Sequence, residues 1–340
     1  MSERPFVSVL VPMRNERAFI VQCLDSIVAN DYPGHRIEVL VIDGMSTDDS
    51  AEIVRRYGER HLFIRLLANP KRFQVAALNV GLREARGEII VRMDAHTRYA
   101  PDYIRTCVDL LQTAGAENVG GLQRAVGTDY ISRAIAVAIT TPFGIGNAHF
   151  RYAERMMWVD TVYLGAWRKA RLQALGGFDE RWAVNEDYEL NCRLRKSGGR
   201  ILLSPEIKSF YYVRPSLEAL ALQYFRYGFW KVKTLSSHAD SLRWRQLAPP
   251  ALVVGLLLSL VLSTFWPALG ALVPGVYGLT IGLAALTTAS RRGWRYLPVL
   301  PVIFATIHVG WGLGFLMGLT RWGIPRITPQ VFARALRGEL

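Results

Sequence analysis

The chain has 340 residues, 51% of them hydrophobic and 20% charged, enough to bury a sizeable core and leave a smaller second part. Its 41 Lys+Arg against 28 Asp+Glu leave a formal charge of +13, which points to a negatively charged partner: nucleic acid, an anionic membrane face or a phosphorylated substrate. The three cysteines, Cys23, Cys107 and Cys192, are far apart and form no CxxC pair, which argues against a disulfide framework or zinc site and fits a reducing compartment.

The opening MSERPFVSVLVPMRNER does not have the form of a secretory leader, because its apolar run is short and is closed at once by Arg14, Asn15 and Glu16. FVSVLVP reads instead as a strand. Residues 17–29 carry Phe19, Ile20, Cys23, Leu24 and Ile27 at helical spacing, and IEVLVID (37–43) is a second strand. Ser46 followed by Asp49 has the form of a capping box opening a helix through about Tyr57. HLFIRLL is a third strand, a helix follows near 73–85, and EIIVRMD is a fourth strand. Strands without polar alternation, separated by helices, predict a mostly parallel sheet with helices on both faces.

The C-terminal part differs in kind. Segments 249–265, 268–289 and 297–319 contain no Asp, Glu, Lys or Arg, and each is roughly the length that crosses about 30 Å of hydrocarbon. Soluble helices show a polar face and these do not, so they are expected to span a membrane. Before them, residues 216–246 interleave aromatics with Lys and Arg, as an interfacial helix on an anionic membrane surface would. Lys231, Lys233, Arg243 and Arg245 before the first span and the SRRGWRY loop between the second and third are both expected in the cytoplasm, which leaves WPALG outside. The basic tail, 321–340, with Arg321, Arg326, Arg334 and Arg337, then falls on the outer face against the same rule, unless the third segment is a re-entrant hairpin broken at Pro298 and Pro301. The run YISRAIAVAITTPF (130–143) is too short to span and is either a core helix or a lip that admits a lipid. His308 is the ionisable residue inside a span, read as a transport group or as an interhelical hydrogen bond.

In open sheets of this kind ligands sit outside the carboxyl ends of the strands. Asp43 ends the second strand and Asp94 the fourth, so both carboxylates face one crevice; Asp43 in DGMSTDD is equally read as a turn residue. His96, two residues after Asp94, adds a second metal-ligand type.

VSVLVPMRNE, VLVIDGMSTDDS, MDAH, LGGFDE and NEDYELNCRLRKSG, in this order over about residues 5 to 230, resemble the family 2 glycosyltransferases of GT-A fold. The membrane-anchored form is similar to bacterial exopolysaccharide glucosyltransferases of the succinoglycan type. The resemblance implies a Rossmann-like α/β domain, here over 1–215 and followed by the interfacial segment 216–246 and the membrane region 247–320 read above, and transfer of a sugar, with inversion, from a nucleotide-diphosphate donor of the UDP-sugar class. Position by position it puts Pro12 and Glu16 at the nucleotide, Asp43 at the uracil or ribose, and Asp94 and His96 at a divalent cation. The usual Asp-x-Asp is here Asp-x-His, and an imidazole favours Mn2+ over Mg2+. Asp187 matches the family's base, with Glu186 beside it able to raise its pKa by like-charge repulsion, although Asn185 followed by acids is also a sound helix start.

Phe178 and Asp179 of ALGGFDERW fall where the family lines its acceptor pocket, and Glu186 is grouped with them; the segment is otherwise an ordinary turn. Lys71 and Arg72 are placed to neutralise diphosphate or are solvated loop charges. Gln223, Arg226 and Tyr227 resemble the QxxRW motif of processive synthases with Tyr in place of Trp, which, with only three spans, argues against a polymer-translocating channel. No nucleic-acid-binding motif accompanies the basic residues, and the Gly-rich loop of nucleotidylyltransferases is absent. The expected activity is extension of a lipid-linked saccharide at the cytoplasmic face of the cell membrane; the alternatives are a processive polysaccharide synthase and a non-catalytic membrane scaffold.

Overall fold

A computed structural model describes residues 3–146 and 148–337. The chain forms two compact units, one of residues 1–124 and 149–212, the other of residues 125–148 and 213–340.

The first unit is built on a sheet that has nine strands among the described residues: β1 (Val7–Met13), β2 (Ile37–Asp43), β3 (Ile64–Ala68), β4 (Ile89–Arg92), β5 (Thr97–Tyr99), β6 (Asn118–Val126), β7 (Met157–Val159), β8 (Tyr163–Arg168) and β9 (Ile201–Tyr212). The order is β3-β2-β1-β4-β8-β6-β9-β5, with β7 beside β9. The parallel character expected from the sequence holds for the first four strands; β8 then joins β4 antiparallel, and β5–β9 and β7–β9 are antiparallel too. The sheet is therefore mixed.

Strand β1 shows why the segment reads as uniformly apolar. Val7, Val9 and Val11 enter one core with α1 (Ile20–Val28), while Leu10 points the other way into a second core with α3 (Gln74–Glu84). A strand covered on both faces has no solvent side, and each buried aliphatic side chain contributes about 2 kcal/mol. The helix expected from Ser46 begins four residues later, as α2 (Ser50–Arg60) with Asp49 at its N-cap. Ser46 instead donates its N–H and hydroxyl to the Asp43 carboxylate, so local bonding at the end of β2 takes the residue away from the helix. The remaining helices of this unit are α4 (Tyr103–Thr113), α7 (Lys169–Ala174) and α8 (Glu186–Lys196).

The second unit is helical. It contains α5 (Tyr130–Ala138), α6 (Pro142–Ile145), α9 (Leu217–Ser237), α10 (Ala248–Leu262), α11 (Pro267–Gly270), α12 (Leu272–Arg292), α13 (Leu300–Trp322) and α14 (Pro329–Arg337). Among the described residues three helical stretches are long and apolar enough to cross a membrane: Trp244–Leu262, Pro267–Arg292 and Leu300–Trp322. The third runs unbroken, so it is not a re-entrant hairpin. Pro298 precedes α13 and Pro301 sits in its first turn, where the missing N–H costs no helical hydrogen bond. His308 joins helices, with Nδ1 3.0 Å from the Tyr277 hydroxyl and Nε2 2.8 Å from the Phe143 carbonyl, which accounts for a polar group inside a span. The run at 130–143 folds as α5 and α6, both packed on α13.

Helix α9 departs from the expectation of an interfacial helix with its rings in lipid. One face lies directly on α13, and a Cβ at Gly314 or Gly228 would overlap the Phe225 or Trp311 carbonyl of the facing helix. Phe229 and Trp230 place their rings 4.3 and 5.4 Å from Trp322. Lys231 is buried and donates to the Ser241 carbonyl at 3.0 Å, so it does not face headgroups. Small residues let the two backbones approach closely enough for dispersion to hold them. Gly314→Leu should force α9 and α13 apart and cost about 1–3 kcal/mol, read as a lower thermal midpoint in detergent; an unchanged midpoint would refute this packing.

Candidate active site

The carboxyl ends of β1, β2 and β3 and the segment after β4 surround a cavity of ≈ 160 Å³ lined by Pro12, Arg14, Glu16, Gly44, Arg72, Gln74, Asp94 and His96, among others. Asn15, Met45 and Arg72, one beyond each of the three strands, have φ of 56°, 59° and 67°, the left-handed region that ordinary side chains avoid. Such strain persists only where the surroundings over-determine it. Here they do: Asn15 donates its N–H to Ser46 and accepts from Thr47, and Arg72 donates its N–H to the Asn69 carbonyl.

Asp94 is buried and clamped. Its N–H donates to the Tyr99 hydroxyl, and its carbonyl accepts from Tyr99 and from the Cys23 thiol. Its carboxylate accepts the Tyr163 hydroxyl at 3.0 Å and lies 3.4 Å from Gln74 Nε2 and 3.5 Å from Arg92 Nη2. His96 Nδ1 lies 3.3 Å from Glu16 Oε1, an arrangement that orients the ring with its Nδ1 proton toward the carboxylate. Glu16 is in turn held by its N–H donating to Ser50.

Among the described residues no three His, Cys, Asp or Glu side chains form a metal-binding group. One carboxylate and one imidazole on the same cavity wall nevertheless suit a divalent cation that completes its shell with substrate phosphate oxygens and water. The donor set fits.

The sequence reading overlooked Arg92. It is buried in β4, and its Nη2 lies 2.9 Å from Glu186 and 3.5 Å from Asp94, joining the end of β4 to the start of α8. Burial opposes the Arg92 charge, but the carboxylates of Asp94, Glu186 and Asp187 outweigh it and hold its pKa above the ordinary value. The available signal was a single arginine inside an otherwise apolar strand, which demands a buried partner.

Glu186 and Asp187 differ sharply. Glu186 is buried and tied to Arg92, whereas Asp187 is half-buried. Burial first and the Glu186 carboxylate second push the Asp187 pKa up to about 6, against the lowering by Arg92. Asn185 occupies the N-cap with φ 65° and makes no side-chain cap bond, so it turns the chain into the helix without capping it.

Other candidates lie elsewhere. Phe178 is buried in the core edge-on to Trp167, after the glycine turn. Asp179 chelates Arg181, which holds its carboxyl down at about 2. Lys71 pairs with Glu180 at 2.6 Å and does not line the cavity, unlike its neighbour Arg72. Asp43 bonds Ser46 while Gly44 lines the cavity. Gln223, Arg226 and Tyr227 belong to α9 of the second unit, where Gln223 Nε2 donates to the Tyr227 hydroxyl at 3.0 Å.

Residues 8–163 match the model described as glycosyl transferase family 2, and residues 89–317 that of glycosyl transferase family group 2. The chain is 31% identical to the succinoglycan biosynthesis protein ExoA of Rhizobium meliloti, over 90% of this chain and 93% of that one. The chain belongs to glycosyl transferase family 2. This glycosyltransferase is also 26% identical, over 93% of its length and 98% of the relative's, to a dolichyl N-acetyl-alpha-D-glucosaminyl phosphate 3-beta-D-2,3-diacetamido-2,3-dideoxy-beta-D-glucuronosyltransferase of Methanococcus voltae. Its fold is GT-A, shared with the mannosyltransferase PcManGT from Pyrobaculum calidifontis, solved with GDP-Man and Mn2+, at TM-score 0.63 and 22% identity over 94% of this chain and 89% of that one.

A carboxylate that acts as a base works only when deprotonated. With Asp187 raised to about 6, transfer should fall about tenfold per pH unit below that value and level off above it. The check is a profile of transfer rate from pH 4.5 to 8.5; a rate flat through pH 6 would remove Asp187 from this role.

Proposed function

We propose that this glycosyltransferase moves a sugar, with inversion, from a nucleotide-diphosphate donor of the UDP-sugar class to a lipid-linked saccharide at the cytoplasmic face of the cell membrane, in exopolysaccharide or glycolipid assembly. The observation that carries the reading is the division of labour around Arg92: of two adjacent acids, the buried one is neutralised by the arginine, and the half-buried one keeps a raised pKa beside the Asp94–His96 wall. The relative from Methanococcus voltae, by name a transferase acting on a dolichyl-linked sugar phosphate, supports a lipid-linked acceptor.

In this reading Asp187 takes the proton from the acceptor hydroxyl as its oxygen bonds the anomeric carbon and the bond from that carbon to the diphosphate breaks. A pKa near 6 leaves the carboxylate ionised at neutral pH and a stronger base than an ordinary aspartate. Asp94 and His96 would hold a divalent cation, Mn2+ in preference to Mg2+, which supplies charge neutralisation to the departing diphosphate. Pro12, Glu16 and Arg72 line the donor cavity, Asp43 shapes the loop that carries Gly44 into it, and Glu16 also steadies His96. The three apolar helices anchor the enzyme as a multi-pass protein beside its lipid substrate.

Asp187→Asn should retain nucleotide-sugar binding and lose about 100-fold or more of transfer, whereas Asp94→Ala should weaken both, as should EDTA. The assay is transfer from labelled nucleotide sugars into lipid extracts by membranes carrying each variant. Full transfer by Asp187→Asn would sink the assigned base. A ladder of long products would turn the reading toward a processive synthase.

A further inference from the structure

A second buried arginine, Arg151, is linked through aromatic rings to Asp94 and His96. Arg151, at the end of the short turn His149–Arg151, is 8% exposed, and its Nη1 has no hydrogen-bond partner among the described residues. Arg92, at 4% exposed, also has unpartnered donors in Nε and Nη1, but its charge is met by two carboxylates at Nη2, whereas Arg151 forms no ion pair with a described carboxylate.

Arg151 is held by rings. Its guanidinium carbon is 5.4 Å from the centroid of Tyr211 and 5.7 Å from that of Phe150. Each ring leads back to the candidate metal ligands by a separate path. Tyr211 meets His96 edge-on with ring centroids 5.9 Å apart. Phe150 stacks on Tyr163 at 6.2 Å, and the Tyr163 hydroxyl donates to Asp94 Oδ2 at 3.0 Å. Aromatic faces attract a guanidinium, yet they leave its in-plane N–H donors unmet. A buried cation with unmet donors is costly unless an anion completes it, and the planar fork of arginine matches phosphate oxygens two at a time.

We propose that Arg151 binds a phosphoryl group of a substrate, and so determines which substrate is productively held. The identity of the substrates rests on the glycosyl-transfer reading; the unmet buried cation does not. Two phosphoryl groups are chemically equivalent here, the diphosphate of the donor and the phosphate of the acceptor lipid, and the experiment separates them.

The full-length protein in detergent, as wild type, Arg151→Met and Arg151→Lys, is titrated calorimetrically with UDP and GDP, and separately with polyprenyl phosphate in micelles. The thermal midpoint of each variant is recorded alongside. Arg151→Met should bind one of the two classes about tenfold or more weaker, without a lower midpoint, because methionine removes an uncompensated charge and keeps the apolar stem. Arg151→Lys should lose less, since it keeps the charge and loses the fork. Weaker nucleotide binding assigns the donor diphosphate, and weaker lipid binding assigns the acceptor phosphate. Unchanged binding of both by Arg151→Met overturns the inference and leaves glycosyl transfer intact. Wild type that binds neither class overturns both. Should Arg151→Met fail to fold, Arg151→Lys decides: weaker binding supports the inference and binding equal to wild type overturns it.

Discussion

The first unit is organised around one buried guanidinium. Arg92 sits where the parallel half of the sheet ends and contacts an acid from the loop after its own strand and an acid from α8, nearly a hundred residues later. Neither acid is stable buried alone, and the arginine is not stable without them. The end of β4 and the start of α8 are therefore fixed together by charge as well as by packing. Asp187 rides on that junction, and its pKa is raised first by burial and then by the Glu186 carboxylate beside it, against the lowering by Arg92.

Much of this was legible in the residues. Asp94 and His96 stand out because polar groups end an apolar strand, and backbone direction brings Asp94 to the carboxyl end of the sheet; Asp187, at a helix start, was marked by the family resemblance. The helical part was legible from the absence of charge over three long stretches. What could not be read was which way a side chain turns at a glycine-rich bend. Phe178 and Asp179 are neighbours in a turn, yet one packs into the core and the other chelates Arg181. Arg92 went unnoticed because its partner Glu186 is remote in sequence and ion pairs leave no periodicity.

Helix α9 illustrates a different limit. Aromatic and basic residues at helical spacing look the same whether the apolar face meets lipid or another helix. The discriminating residues were Gly228 on α9 and Gly310, Gly314 and Gly318 on α13, spaced to let backbones touch. Similarly, Ser46 and Asp49 have the spacing of a cap, but Asp43 competes for the serine and wins because its carboxylate is already positioned at the end of β2.

The left-handed residues beyond β1, β2 and β3 set the enzyme's evolutionary bargaining position. At Asn15, Met45 and Arg72 a glycine relieves strain in the folded loop but also widens the unfolded ensemble, so local relief and chain entropy pull in opposite directions. Selection for heat resistance alone has little to gain there, whereas selection for a new donor can trade loop rigidity for reach. Laboratory evolution toward other nucleotide sugars is thus expected to enrich glycine at these three places before it alters the sheet beneath them.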